Sequence, residues 1–180
     1  MEKTAHLLPK TDASIGFKDL KRYAEGWLLD CDIRQLSWRT IENRRLLIQK
    51  LLWFLQHKDY SECGLLELKQ FLSYVSSGHE DSSGRWNNPR LRRKARPVTV
   101  STYYGRLRTL FRYLVEEGAL QASPIERISP PVSRPDQVQP FTPEQVDGLL
   151  KAAHRSAHPK RNEAIILFLL DTGIRASELC

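Results

Sequence analysis

Cysteine is scarce and scattered in this chain. Its three residues, Cys31, Cys63 and Cys180, lie far apart, form no C-x-x-C pair and join no histidine at metal-ligand spacing. That argues against a zinc site and for reduced, mostly structural thiols in a cytoplasmic protein. Long apolar runs are lacking too. None approaches the roughly 18–20 residues of a membrane span, and residues 1–9 lack the apolar segment of a secretory signal. General disorder is excluded, because 41% of the 180 residues are hydrophobic, enough to build a core in one or two domains.

What the chain does have is positive charge in one place. The formal net charge is +7. Residues 1–81 balance, with twelve Lys/Arg against twelve Asp/Glu, and residues 119–180 balance at seven of each. The whole excess lies between Ser82 and Gly118, where nine basic residues face two acidic ones. Within it Arg85, Arg90, Arg92, Arg93, Lys94 and Arg96 have no acidic neighbour between them. Concentrated charge of this kind is an electrostatic footprint for a polyanion, nucleic acid first among them. The alternative is a solvated loop whose charge aids solubility. Trp86, beside these cations, is a candidate to stack on a sugar or base.

Periodicity predicts helices. Phe17 to about Asp30 carries apolar residues at helical spacing. Ser37 is the expected N-cap of a second helix, Trp38 to about His57, with Ile41, Ile48, Leu51, Leu52 and Leu55 inward. A third covers Leu65–Ser76, with Leu68, Phe71, Leu72 and Val75 inward. The polar stretch and basic run that follow, about twenty residues without apolar periodicity, are of a kind that is often functional or disordered. A fourth helix is expected after Pro97, capped by Thr99 or Ser101 and ending at Gly118. Its buried face is Val100, Tyr103, Leu107, Leu110, Phe111 and Leu114, with Tyr104, Arg108 and Arg112 on another flank. Arg112, close to two acidic residues, reads as an ordinary surface arginine. A proline-rich linker spans 126–140, with the boundary near Val138. Helix then restarts at Thr142, followed by Pro143 and a capping-box glutamine, Gln145.

The last stretch is the most specific. The apolar run Ala164–Leu170 reads as a fully buried helix that ends at Gly173 as a left-handed C-cap. Arg175 follows directly, held by packing, and its planar fork matches two phosphate oxygens. The alternative partner is Glu178, an i,i+3 surface contact worth about 0.2–0.5 kcal/mol.

Arg161, the apolar run, and Thr172-Gly173-Ile174-Arg175-Ala176-Ser177-Glu178-Leu179 closely resemble the start of the catalytic domain of tyrosine recombinases, the phage-integrase and Xer-type family, with its T-G-[LI]-R-x-S-E-L pattern. Leu36-Ser37-x-x-Thr40-Ile41-x-x-x-Arg45 and Thr99 to Tyr113 are similar to motifs of that family's core-binding domain, though Arg44 and Leu47 depart from the pattern.

The resemblance implies a mainly α, SAM-like four-helix DNA-binding domain at 17–125 after a tail at 1–16. A linker at 126–140 then leads to the helical start of a catalytic domain at 141–180. It implies Arg175 as the first catalytic arginine, clamping the scissile phosphate, with Glu178 supporting it. DNA grip falls to Arg39, Thr40, Asn43 and Arg44 on the second helix and Arg106 and Arg108 on the fourth, beside the basic run. The partner is double-stranded DNA, with self-association on DNA when full length, and neither cofactor nor metal is required. The family's lysine, H-x-x-R box and tyrosine nucleophile follow well downstream of the first arginine and are not found in this sequence. The chain is therefore expected to bind duplex DNA without cutting it, as the N-terminal piece of a longer recombinase. The alternatives are a non-enzymatic DNA-binding regulator on the same scaffold, a helical protein–protein adaptor, and a topoisomerase of the related tyrosine type.

Overall fold

A computed structural model of the chain describes residues 13–79, 81–133 and 139–180. The expected tail through residue 12, and the linker at 134–138 with its boundary near Val138, lie outside the described residues. The chain divides into two compact units, Met1–Pro135 and Asp136–Cys180, and the described residues are mainly helical.

The first unit is built on four helices: α1 (Phe17–Ile33), α2 (Trp38–His57), α3 (Leu65–Ser76) and α4 (Pro97–Glu116). Each turns an apolar stripe inward. Leu20, Ala24, Trp27 and Cys31 come from α1, and Leu47, Ile48, Leu51, Phe54 and Leu55 from α2. Leu68, Phe71, Leu72 and Val75 come from α3, and Leu107, Leu110, Phe111 and Leu114 from α4. Phe54 and Phe71 meet edge to face, with centroids 5.5 Å apart. Burying each large side chain of this set contributes about 1.5–3 kcal/mol before entropy is counted.

The ends of α2 and α3 fall where the sequence places them. Ser37 caps α2, its hydroxyl accepting the Thr40 N–H. Four details differ from expectation. On α2, Leu47 and Phe54 join the core while Ile41 and Leu52 are only half-buried. Helix α4 begins at Pro97 itself, with Arg96 as N-cap, because the proline ring already holds the φ of a first helical turn; neither Thr99 nor Ser101 caps it. Tyr104 is buried, its hydroxyl donating to the Ile128 carbonyl, while Tyr103 is half-buried. In addition, a two-residue antiparallel ribbon, β1 (Ile15–Gly16) with β2 (Glu62–Cys63), ties the start of α1 to the α2–α3 connection. Burial pushes the Cys63 thiol far above its ordinary range, with Glu67 adding to the effect, so it stays a neutral core group.

The second unit holds α5 (Pro143–His154), α6 (Pro159–Thr172) and the short α7 (Ala176–Leu179). Thr142 and Gln145 form the expected capping box, and Gly173 takes the left-handed conformation at φ 65°. The expectation of a fully buried α6 is corrected. No residue of α6 is buried, and Leu167, Phe168 and Leu170 are 43–48% exposed. Apolar content alone does not bury a helix, and α5 covers only one of its sides.

Candidate nucleic-acid interface

Two helices set the site. Lys50 on α2 donates to the Tyr103 hydroxyl on α4 at 2.7 Å. Farther along, Thr40, Asn43 and Arg44 of α2 share a groove with Thr102, Gly105, Arg106 and Thr109 of α4. Gly105 has nothing within 4 Å of where a Cβ would stand, so the groove floor is open there.

The groove's polar groups fall into two kinds. Thr102 and Thr109 donate to carbonyls of their own helix, and Thr40 shares a hydrogen bond with Ser37. Arg44 is held inward: its guanidinium lies 4.5 Å from the Trp27 ring centre, and its Nη1 donates to the Cys31 sulfur at 2.7 Å. Asn43 and Arg106, both half-buried, have no side-chain partner among the described residues. With no partner inside the protein, these two are the groove groups free to exchange water for an incoming ligand. An amide beside a guanidinium offers donors and an acceptor to base edges or phosphates.

The remaining expected contacts scatter. Arg39 lies over the exposed Trp38, 5.7 Å from its ring centre. Arg108 lines a separate hollow with Glu126, Ile128 and Pro130. Arg112 pairs with Glu116 at 3.3 Å, as its acidic surroundings suggest.

The basic run is folded, and two of its residues do not face solvent as expected. Arg85 is 6% exposed, and its Nη2 donates to the carbonyls of Ser77 and Arg93 at 2.8 and 3.1 Å. Its Nε is buried without a partner. Trp86 is not presented for stacking on a base. It sits among Tyr74, Trp53, Phe71 and Tyr103, at centroid distances of 5.0, 5.6, 5.8 and 6.4 Å. Arg90, Arg92, Arg93, Lys94 and Arg96 are exposed and carry no ion pair among the described residues. Gly84 before it and Trp86 after it make a turn and an anchor inside the charged stretch, but nothing in the neighbouring sequence marks Arg85 itself for burial.

In the second unit Arg175 is exposed and pairs with Glu178. Its Nη1 lies 3.2 Å from one carboxylate oxygen, and its backbone N–H donates to the other at 2.8 Å. It is held by Glu178, not by packing as expected.

The chain is similar to a tyrosine recombinase. That relative, from Thermosipho africanus (strain TCF52B), is 28% identical over 148 residues, which is 82% of this chain and 48% of the relative. The chain thus spans about half the length of the curated relative it matches. No family model matches the chain, and no solved structure does. Among the described residues no helix is long and apolar enough to cross a membrane, and no cluster of three or more His, Cys, Asp or Glu side chains could hold a metal ion.

Proposed function

We propose that this chain is the DNA-gripping portion of a site-specific tyrosine recombinase, with a SAM-like core-binding domain of the Xer and phage-integrase type followed by the opening of the catalytic domain. The observation that carries this reading is the meeting of Thr40, Asn43, Arg44 and Arg106, from motifs more than fifty residues apart in sequence, around one groove. In this reading α2 and α4 hold duplex DNA, and Asn43 and Arg106 make the groove's contacts with it. Arg175 is the phosphate-clamping arginine, oriented by the Glu178 carboxylate. No tyrosine of this sequence stands where the family's nucleophile does, so these 180 residues bind DNA without cutting it. In the whole recombinase a tyrosine hydroxyl would attack the scissile phosphorus, and the leaving 5′ hydroxyl would later reverse the step, with no cofactor.

The test is binding to a fluorescein-labelled duplex followed by anisotropy. Affinity should fall by a factor of about 10³ or more between 50 and 200 mM salt if six or more phosphates are contacted. Asn43→Ala and Arg106→Gln should each weaken binding, by about 1–3 kcal/mol if they reach base edges. Salt-independent binding, or none at low salt, would instead favour a protein–protein adaptor.

A further inference from the structure

The segment from Ser77 to Arg96 is longer than a connection between two packed helices requires, and it is internally built. The His79 N–H donates to the Arg92 carbonyl at 2.8 Å, and the Arg85 N–H to the Leu91 carbonyl at 3.1 Å. Arg85 reaches back with its guanidinium to the carbonyls of Ser77 and Arg93, at both flanks of the segment. Asp81 caps the turn, accepting from the Ser83 hydroxyl and the Gly84 N–H at 2.8 Å each. Gly84 sits at φ 66°, and a Cβ there would meet the Asn88 carbonyl oxygen at 2.2 Å.

Two successive non-glycine residues, Trp86 and Asn87, take positive φ of 62° and 53°. A bulky residue in that region is disfavoured unless its surroundings over-determine it. They do here, because the Trp86 ring is packed in the aromatic cluster and the Trp86 backbone N–H donates to the Tyr74 hydroxyl at 3.2 Å. The anchor lies beside Lys50, whose amino group is 5.8 Å from the Trp86 ring centre and bonds Tyr103. The segment therefore adjoins the same α2–α4 pair that forms the groove.

We propose that residues 81–96, tied to Ser77 and His79, form a prefolded wing that grips the phosphate backbone of double-stranded DNA beyond the groove, with Arg85 as its buried positioning residue. The inference rests on the DNA-binding reading above and adds a second contact surface to it. Arg90, Arg92, Arg93, Lys94 and Arg96 are the contacts. All five are exposed without an ion pair among the described residues; Arg92 also donates from Nη2 to the Ser82 carbonyl at 3.3 Å, a solvent-exposed bond that leaves the rest of its fork open to phosphate. Arg85 touches no DNA: it joins the two flanks so that the cations enter binding already ordered, which reduces the ordering cost of association.

The experiment measures duplex affinity against salt for four proteins. The first is the natural chain, and the second is a wing variant carrying Arg90→Gln, Arg92→Gln, Arg93→Gln and Lys94→Gln. The third is Arg85→Met, and the fourth combines Arg85→Met with the wing changes. Each neutralised phosphate contributes about 0.9 to the log–log salt slope, so the wing variant should lose about 3–4 from that slope on duplexes of any sequence. Arg85→Met should weaken binding in the natural background and have no further effect in the wing background. That pattern separates positioning from general damage to the fold.

An unchanged salt slope in the wing variant, with Arg106→Gln still reducing it, overturns the wing while leaving the groove reading intact. Failure of the natural chain to bind at low salt overturns both. Equal losses from Arg85→Met in both backgrounds overturn the positioning role. The wing variant alters only exposed side chains, so it decides the contact question even where Arg85→Met does not fold.

Discussion

Arg44 offers a sharp test, because it belongs to the candidate DNA interface and to the core's edge together. One face of its guanidinium lies 4.5 Å from the Trp27 ring centre, and Nη1 reaches the buried Cys31 sulfur at 2.7 Å. A partly desolvated cation–π contact contributes about 0.5–2 kcal/mol. Sulfur is a weak acceptor, so the second contact stands at the low end of the hydrogen-bond range, about 0.5 kcal/mol. Arg44→Met keeps most of the stem and removes both contacts. The expected loss is therefore about 1–2 kcal/mol, which at about 4 °C per kcal/mol lowers Tm by roughly 4–8 °C. Thermal melts of Arg44→Met, Trp27→Leu and the double variant close a cycle whose coupling energy should be about 0.5–2 kcal/mol. With its fork already engaged, Arg44 should cost less DNA affinity on removal than Arg106, and more stability. A coupling energy of zero with unchanged Tm would mean that Arg44 swings in solvent, and the reasoning would fail.

Two further outcomes follow from the site and the wing. In the complete recombinase, Arg175→Ala should reduce strand cleavage by an amount equivalent to about 2.7–4 kcal/mol, the effect of removing one donor aimed at developing charge, while gel-shift affinity for the site is retained; equal loss of both would remove the clamp role. Asp81 has its carboxyl held below the ordinary value of 3.8, first by the Ser83 hydroxyl and then by the Gly84 N–H. Its contribution to wing order is thus fully present above that ordinary value and disappears as pH falls through the lowered one. Unfolding curves from pH 5 downward should show this acid-sensitive component, and Asp81→Asn should abolish it.

How much of this was legible in the sequence depended on the range of the physics involved. Ser37, the Thr142–Gln145 capping box and Gly173 act within one helical turn, and all three stand where local rules place them. The inward stripe of α3 is likewise a matter of 3.6-residue spacing. Three features depend on what lies across the fold and could not be read from neighbours. Arg85 looks like its fellow cations until the carbonyls of Ser77 and Arg93 are brought to it. The run Ala164–Leu170 is apolar, yet its burial depends on a covering surface rather than on its own composition. The β1–β2 ribbon is two residues long on each side, too short for any alternation to register. In the groove, the residue types are apparent from sequence, but which of them stay unpartnered depends on the inward turn of Arg44 toward Trp27 and Cys31, leaving Asn43 and Arg106.

The second unit's thin packing has a thermodynamic consequence. Among its described residues Ala153 alone is buried, so melting α5 and α6 would expose little new apolar surface and release little heat capacity. Their helicity rests on local devices: the Thr142 cap, the left-handed Gly173, and the His154–Glu163 contact at 3.1 Å between the two helices. Structure of that kind loosens gradually instead of switching. Any surface that covered Ile165, Leu167, Phe168 and Leu170 would stabilise it by mass action. Within these 180 residues the segment carrying Arg175 draws its order from local caps and one helix-to-helix contact, whereas the four-helix unit is held by its own core.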